Sequence, residues 1–272
     1  MNWSKRRMTE LEIFFKHFVH YCQYGNEHGW HENGTGGMSM LMPDELITKL
    51  QAQLDMTAEY KSLSVKVPAL AREFFIVTSE GEIWDEIEER FEEFSGIVQI
   101  GPKGDAYRKV YGLERGGEPT TDFPIHLLIH EKLMKKTKSK RSIVYHCHPV
   151  NLTTLTYFLP LKDEVFTEAL MKASVHCSLN IRGRIGVVDR LTMSVEELSK
   201  ETVKKIDNSN LVIWPFHGVI CCGESFPHLM GSVEMAEKAA AIRIKLIEMA
   251  DKIVQEPKIE DLERLRKNVG EN

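Results

Sequence analysis

Long hydrophobic runs are missing from this chain of 272 residues: no window reaches the roughly 18 uncharged apolar residues that a membrane-spanning helix needs. A basic excess is missing too. Lysine and arginine number 35 against 40 aspartates and glutamates, a net charge of −5, so nothing here resembles a surface that binds nucleic acid through phosphate contacts. The one basic run, Lys135-Lys136-Thr137-Lys138-Ser139-Lys140-Arg141, reads as a solvated helix end and loop. The five cysteines, Cys22, Cys147, Cys177, Cys221 and Cys222, are odd in number and lack framework spacing, which argues for reduced thiols over disulfides. The opening residues, Met1 to Arg7, are polar and precede no apolar stretch of signal-peptide length, so a cytoplasmic protein is expected. Nucleotide motifs are likewise absent. No strand is followed by Gly-Lys-Ser/Thr or by Gly-x-Gly-x-x-Gly. His126 and His130 lie four apart, but His-Leu-Leu-Ile-His lacks the glutamate that a zinc protease uses as its base, which leaves these two as packing or ligand-supporting histidines.

What is present describes a folded α/β protein. Hydrophobic residues make up 42% and charged residues 28%, enough to bury a sizeable core. With no repeat, low-complexity linker or composition break, residues 1–272 are expected to form a single domain, with an N-terminal helix at 9–24 and C-terminal helices over 227–269 packing on or beside it. Helical spacing of Leu11, Phe14, Phe15, Phe18, Val19 and Cys22 predicts the first helix, stopping at Gly25. Strands are expected at 38–42, 74–78, 97–100, 107–111, from Ile143 through the His146–His148 stretch to the turn at Pro149, and at 183–188 and 211–216, and further helices at 44–54, 83–94, 152–157, 164–173 and from Ser194 to about 207. Pro119-Thr120-Thr121-Asp122 marks another helix start. His17 and His20 on the first helix read as structural or solvated, and Cys221-Cys222 as buried packing.

Chemistry concentrates at two strand ends. In Tyr145-His146-Cys147-His148-Pro149, positions two apart on a strand face the same way, so His146 and His148 project side by side while Cys147 points opposite. Taken alone, the pair is equally a pair of core or surface histidines. A second apolar strand, Leu211 to Phe216, breaks at His217-Gly218 and offers a third imidazole. Three histidines leave the fourth position of a tetrahedral Zn²⁺ open for substrate. The glycine loop Asn33-Gly34-Thr35-Gly36-Gly37 is a plain turn or, through its backbone N–H groups, an anion cradle.

His146-Cys147-His148-Pro149-Val150-Asn151-Leu152-Thr153, Trp214-Pro215-Phe216-His217-Gly218 and Glu118-Pro119-Thr120-Thr121-Asp122 before a helix together resemble the class II sugar-phosphate aldolase family, over about residues 31–254. The resemblance implies a three-layer α/β fold with a central, mostly antiparallel sheet flanked by helices. It implies a homotetramer with active sites at subunit interfaces, and one Zn²⁺ per subunit held by His146, His148 and His217. By the same resemblance the substrate phosphate is held by Asn33, Thr35, Gly36, Gly37, Ser79, Thr120 and Thr121. Asp122 stands where relatives carry a catalytic glutamate, His176 where a second glutamate comes from the neighbouring subunit, and Met38 where an asparagine usually follows the phosphate loop. The implied reaction is metal-dependent retro-aldol cleavage of a ketose 1-phosphate, L-rhamnulose 1-phosphate in the branch most resembled, to dihydroxyacetone phosphate and L-lactaldehyde. Other activities on this scaffold are a related aldolase, a 4-epimerase or a dehydratase. A non-catalytic, adducin-like module tends to lose the histidines that this chain keeps.

Overall fold

The computed structural model describes residues 9–137, 142–181, 183, 185–189, 191 and 193–270. Residues 1–8 and part of the basic run, 138–141, lie outside the described residues. The chain divides into two compact units, the first from residues 1–147 and 222–226, the second from 148–221 and 227–272.

The first unit opens with α1 (Glu10–Glu27). Thr9 and Glu12 cap each other's backbone N–H groups, and Phe15, Phe18, Val19 and Cys22 form the buried face. The helix does not stop at Gly25 as the sequence suggests. Gly25 is there for close packing: a Cβ at this position would lie 2.1 Å from the Tyr145 hydroxyl and 2.9 Å from Nε2 of His31. The left-handed exit falls at Gly29, with φ at +68°.

Next come β1 (Gly37–Leu41), α2 (Asp44–Leu50), β2 (Lys61–Ser62) and β3 (Phe74–Thr78). The single acidic helix expected over 83–94 is instead a 3₁₀ turn at Trp84–Glu86 and a one-turn α3 (Phe91–Phe94). Asp85, Glu88 and Glu89 would stack like charges three and four residues apart on one helix, whereas the broken path still buries Trp84, Ile87, Phe91 and Phe94. The hairpin β4 (Ser95–Ile100) and β5 (Ala106–Gly112) follows as expected, then α4 (Phe123–Thr137) and β6 (Ile143–Cys147). The six strands of this unit run in the order β2-β5-β4-β3-β1-β6, every pair antiparallel. One apolar cluster, including Leu41, Phe75, Val77, Val98, Ile100, Phe123 and Leu127, packs α4 against these strands.

The second unit contains α5 (Val150–Leu155), α6 (Asp163–Ala173), α7 (Val175–Asn180), β7 (Gly186–Val187), α8 (Val195–Lys205) and β8 (Leu211–Trp214). Most of β9 (Gly218–Gly223), α9 (Phe226–Glu248) and α10 (Ile259–Gly270) complete it. Ser194 caps α8 through a reciprocal box with Glu197. Of the strand expected over 183–188, residue 184 lies outside the described residues, and β7 is Gly186–Val187; before it, Ile185 N–H goes to the Thr167 hydroxyl at 2.9 Å. Here β8 pairs antiparallel with β9 and parallel with β7, so the strand pairing of the molecule is mixed and not antiparallel throughout. The strand expected to reach Phe216 ends at Trp214, since Pro215 has no N–H to give a ladder. The C-terminal helices expected over 227–269 are α9, which ends at Glu248, and α10, which begins at Ile259. No helix among the described residues is long and apolar enough to cross a membrane.

Candidate active site

The glycine loop, the turn after β3 and the segment before α4 were three separate anion-site signals in sequence, and in the first unit they meet. Gly37 pairs with His146 across the β1–β6 ladder, so the loop abuts the histidine strand. A Cβ on Gly37 would lie 2.5 Å from the Thr120 hydroxyl, one on Gly36 2.6 Å from the carbonyl of His146, and one on Gly34 2.6 Å from the backbone of Gly81. Only residues without side chains permit this approach. Met38 N–H bonds the Thr78 hydroxyl at 3.0 Å, and Thr120 directs its own hydroxyl to Gly36 O at 3.2 Å. Ser79 and Thr120 are buried, whereas Asn33, Thr35 and Thr121 are exposed. Asn33 sits at φ +54°, a left-handed conformation that asparagine tolerates better than most residues.

Beneath the loop, the ring of His31 is fixed at both nitrogens. Nδ1 donates to Thr35 O at 2.7 Å and Nε2 meets the Tyr145 hydroxyl at 2.6 Å, with the Trp84 ring 4.0 Å away. His31 went unremarked in the sequence because a lone histidine before a glycine loop carries no pattern.

At the end of β6, Nδ1 of His146 donates to the Asp122 carboxylate at 2.6 Å. This fixes the ring's tautomer and orientation and leaves Nε2 as the basic nitrogen. One turn further along α4, His126 and His130 share the Ser39 hydroxyl, each at 2.9 Å, and His130 reaches Ser142 at 2.6 Å. Burial lowers both, His126 to about 3, so both rings are neutral in the fold. Both are buried, hydrogen-bonded packing histidines, one of the two readings that the missing glutamate left.

In the second unit, His148 follows β6 and His217 closes the turn between β8 and β9, their ring centroids 4.7 Å apart. The turn is a Trp214 O to His217 N–H bond of 3.1 Å, with Pro215 at its second position and Phe216 at φ +62°, the signature of a type II turn made without glycine. His146, His148 and His217 are the described residues that together could hold a metal ion. His176 is exposed on α7 and is not part of this group.

Comparison with known proteins places this geometry in context. A crystal structure of a sugar-phosphate aldolase from Thermotoga maritima superposes with a TM-score of 0.69 at 24% identity, over 89% of this chain and 97% of that one, so the two share a fold. The family model of the class II aldolase and adducin N-terminal domain matches residues 16–244, and the chain belongs to that family. Among curated relatives, the rhamnulose-1-phosphate aldolase of an Escherichia coli strain is 31% identical over 222 residues, covering 82% of this chain and 81% of its own. That of Klebsiella pneumoniae is 29% identical over 221 residues, covering 81% and 80%.

Proposed function

We propose that this chain is a zinc-dependent lyase that cleaves a ketose 1-phosphate by retro-aldol reaction, with L-rhamnulose 1-phosphate as substrate and dihydroxyacetone phosphate and L-lactaldehyde as products. Aldolase activity follows from the family and from relatives that carry that name. The observation that carries the finer reading is the Gly37–His146 register pair, which sets a side-chain-free loop, suited to a phosphate, next to a histidine suited to a metal.

The donor set fits Zn²⁺. Three imidazoles, those of His146, His148 and His217, are a ligand set that Zn²⁺ takes in catalytic sites, and they would hold the ion with one position left for substrate. When bound, the metal supplies Lewis-acid stabilisation of the negative charge that builds on substrate oxygens. The chain's own groups do the rest. Backbone N–H groups of the loop over residues 33–37, with hydroxyls of Ser79, Thr120 and Thr121, hold the phosphate. Asp122 orients His146 and, in its protonated form at the start of α4, gives its proton to the substrate carbon left electron-rich by bond cleavage, the carboxylate so formed taking a proton back from solvent. His176 takes the hydroxyl proton at the bond that breaks. Its exposure accords with service in a neighbouring subunit's site, since a residue acting in another copy must lie on its own subunit's surface. The homotetramer is part of this reading, as is the layering of helices about the sheet. So is a single functional domain over 1–272, because the family match runs across both compact units. Five buried cysteine thiols accord with a reducing, cytoplasmic setting.

The test is product identification with zinc-loaded protein and L-rhamnulose 1-phosphate. Triose phosphate is the expected product. An epimerised or dehydrated ketose without triose phosphate assigns the scaffold's other chemistry, and no turnover of any ketose phosphate by protein holding one zinc per chain points to a non-catalytic module.

A further inference from the structure

In the second unit, the short helix α5 begins directly after His148-Pro149 and its far end touches the turn that presents His217. Both ends are held by single polar side chains. At the start, Pro149 offers no side-chain cap, and the carboxylate of Glu237 on α9 takes that place. One of its oxygens accepts from the Asn151 N–H at 2.8 Å and from the Asn151 side-chain amide at 2.7 Å, and the other accepts from the Leu152 N–H at 2.8 Å. These are orphan donors of a first helical turn, and a carboxylate is the group that best satisfies them. At the far end, the buried hydroxyl of Thr156 donates to Thr153 O at 2.7 Å and accepts the backbone N–H of Phe216 at 3.1 Å. Phe216 is the residue at φ +62°, next to His217, with the Tyr157 ring packed against it at 4.8 Å. A non-glycine residue keeps such a backbone only where its surroundings enforce it.

We propose that Glu237 and Thr156 are positioning residues for the metal-binding histidines, and that α5 acts as a strut fixing the spacing of His148 and His217. The inference rests on the zinc reading above and extends it to two residues outside the ligand set. Glu237 anchors the helix two residues beyond His148-Pro149, and Thr156 holds the strained turn one residue before His217. Neither touches the metal or the substrate in this account. Their effect is therefore on how well the imidazoles are pre-arranged, which shows as metal affinity before it shows as chemistry.

The experiment is Zn²⁺ affinity by chelator competition on the purified full chain, with unfolding of the metal-free protein measured in parallel. Thr156→Val keeps the shape of the side chain and removes the acceptor for Phe216 N–H; Thr156→Ser restores it. Thr156→Val is expected to weaken zinc binding by about tenfold or more, with Thr156→Ser within about threefold of wild type, and Glu237→Gln, which keeps one acceptor oxygen of two, falling between. Zinc affinity within twofold of wild type in both Thr156→Val and Glu237→Gln, whatever the loss of metal-free stability, overturns the inference. Should Thr156→Val fail to fold, Glu237→Gln decides by the same criterion. Wild-type protein that takes up no zinc removes the metal reading, and this inference with it, and is told apart by the wild-type control.

Discussion

Removing the carboxylate of Asp122 should weaken metal binding through an atom that is not itself a ligand. Asp122 accepts from Nδ1 of His146 at 2.6 Å, the imidazole is 2% and the carboxylate 19% exposed, and so little water is available to replace the bond. A hydrogen bond to a charged group is worth about 1.5–3 kcal/mol, which converts to roughly 10- to 150-fold in a binding constant. Asp122→Ala is therefore expected to lower zinc affinity into that range. Asp122→Asn retains a neutral acceptor and should lose about fivefold to tenfold. If Asp122 also carries the proton to substrate, Asp122→Asn at saturating zinc should still lose about 10²–10⁴ in kcat, because an amide cannot donate as an acid. Chelator competition measures the first effect and turnover with added zinc the second. Asp122→Ala protein that binds zinc as tightly as wild type would refute the orienting role, and Asp122→Asn with near-normal turnover at saturating zinc would refute the acid.

Close packing at the glycines gives further expectations. Gly25→Ala places a methyl 2.1 Å from the Tyr145 hydroxyl and should cost about 1–3 kcal/mol, read as a lower thermal midpoint; an unchanged midpoint contradicts the assigned reason for the glycine. Gly37→Ala crowds Thr120 at 2.5 Å and should raise KM for the phosphorylated substrate more than it lowers kcat. Ser39→Ala strips a shared partner from His126 and His130 and should destabilise by about 1–3 kcal/mol in denaturant unfolding. The same pair predicts acid sensitivity. Burial holds His126 at about 3 and His130 well below 6.5, while the unfolded chain protonates near 6.5. Their stabilisation is complete above pH 6.5 and lost as pH falls toward 3, at up to about 1.4 kcal/mol per pH unit for each ring. A denaturant midpoint that does not fall between pH 7 and 5 would contradict this.

Part of the local structure was legible because its signals are local. An apolar run leads into His146 at the end of β6, and His217-Gly218 after a second apolar run marks a turn with a histidine on it. Ser194 and Glu197 spell a helix start that the structure confirms. What the sequence left open depends on partners distant in the chain. Gly25 reads as a helix stop until Tyr145, over a hundred residues on, is seen against it. Glu237 carries no motif at all, and its meaning comes from the first turn of α5, 86 residues earlier. Asp122 drew notice through the family resemblance, but its bond to His146 was not legible, since only the placement of α4 against β6 creates it.

The most direct test of the central claim is the rate of dihydroxyacetone phosphate release from L-rhamnulose 1-phosphate by protein of known zinc content, before and after EDTA and after zinc is returned. The account predicts release that tracks one zinc per chain, vanishes with the chelator and recovers on reconstitution. Release that persists in metal-free protein, or its absence from protein carrying a full complement of zinc, would contradict it.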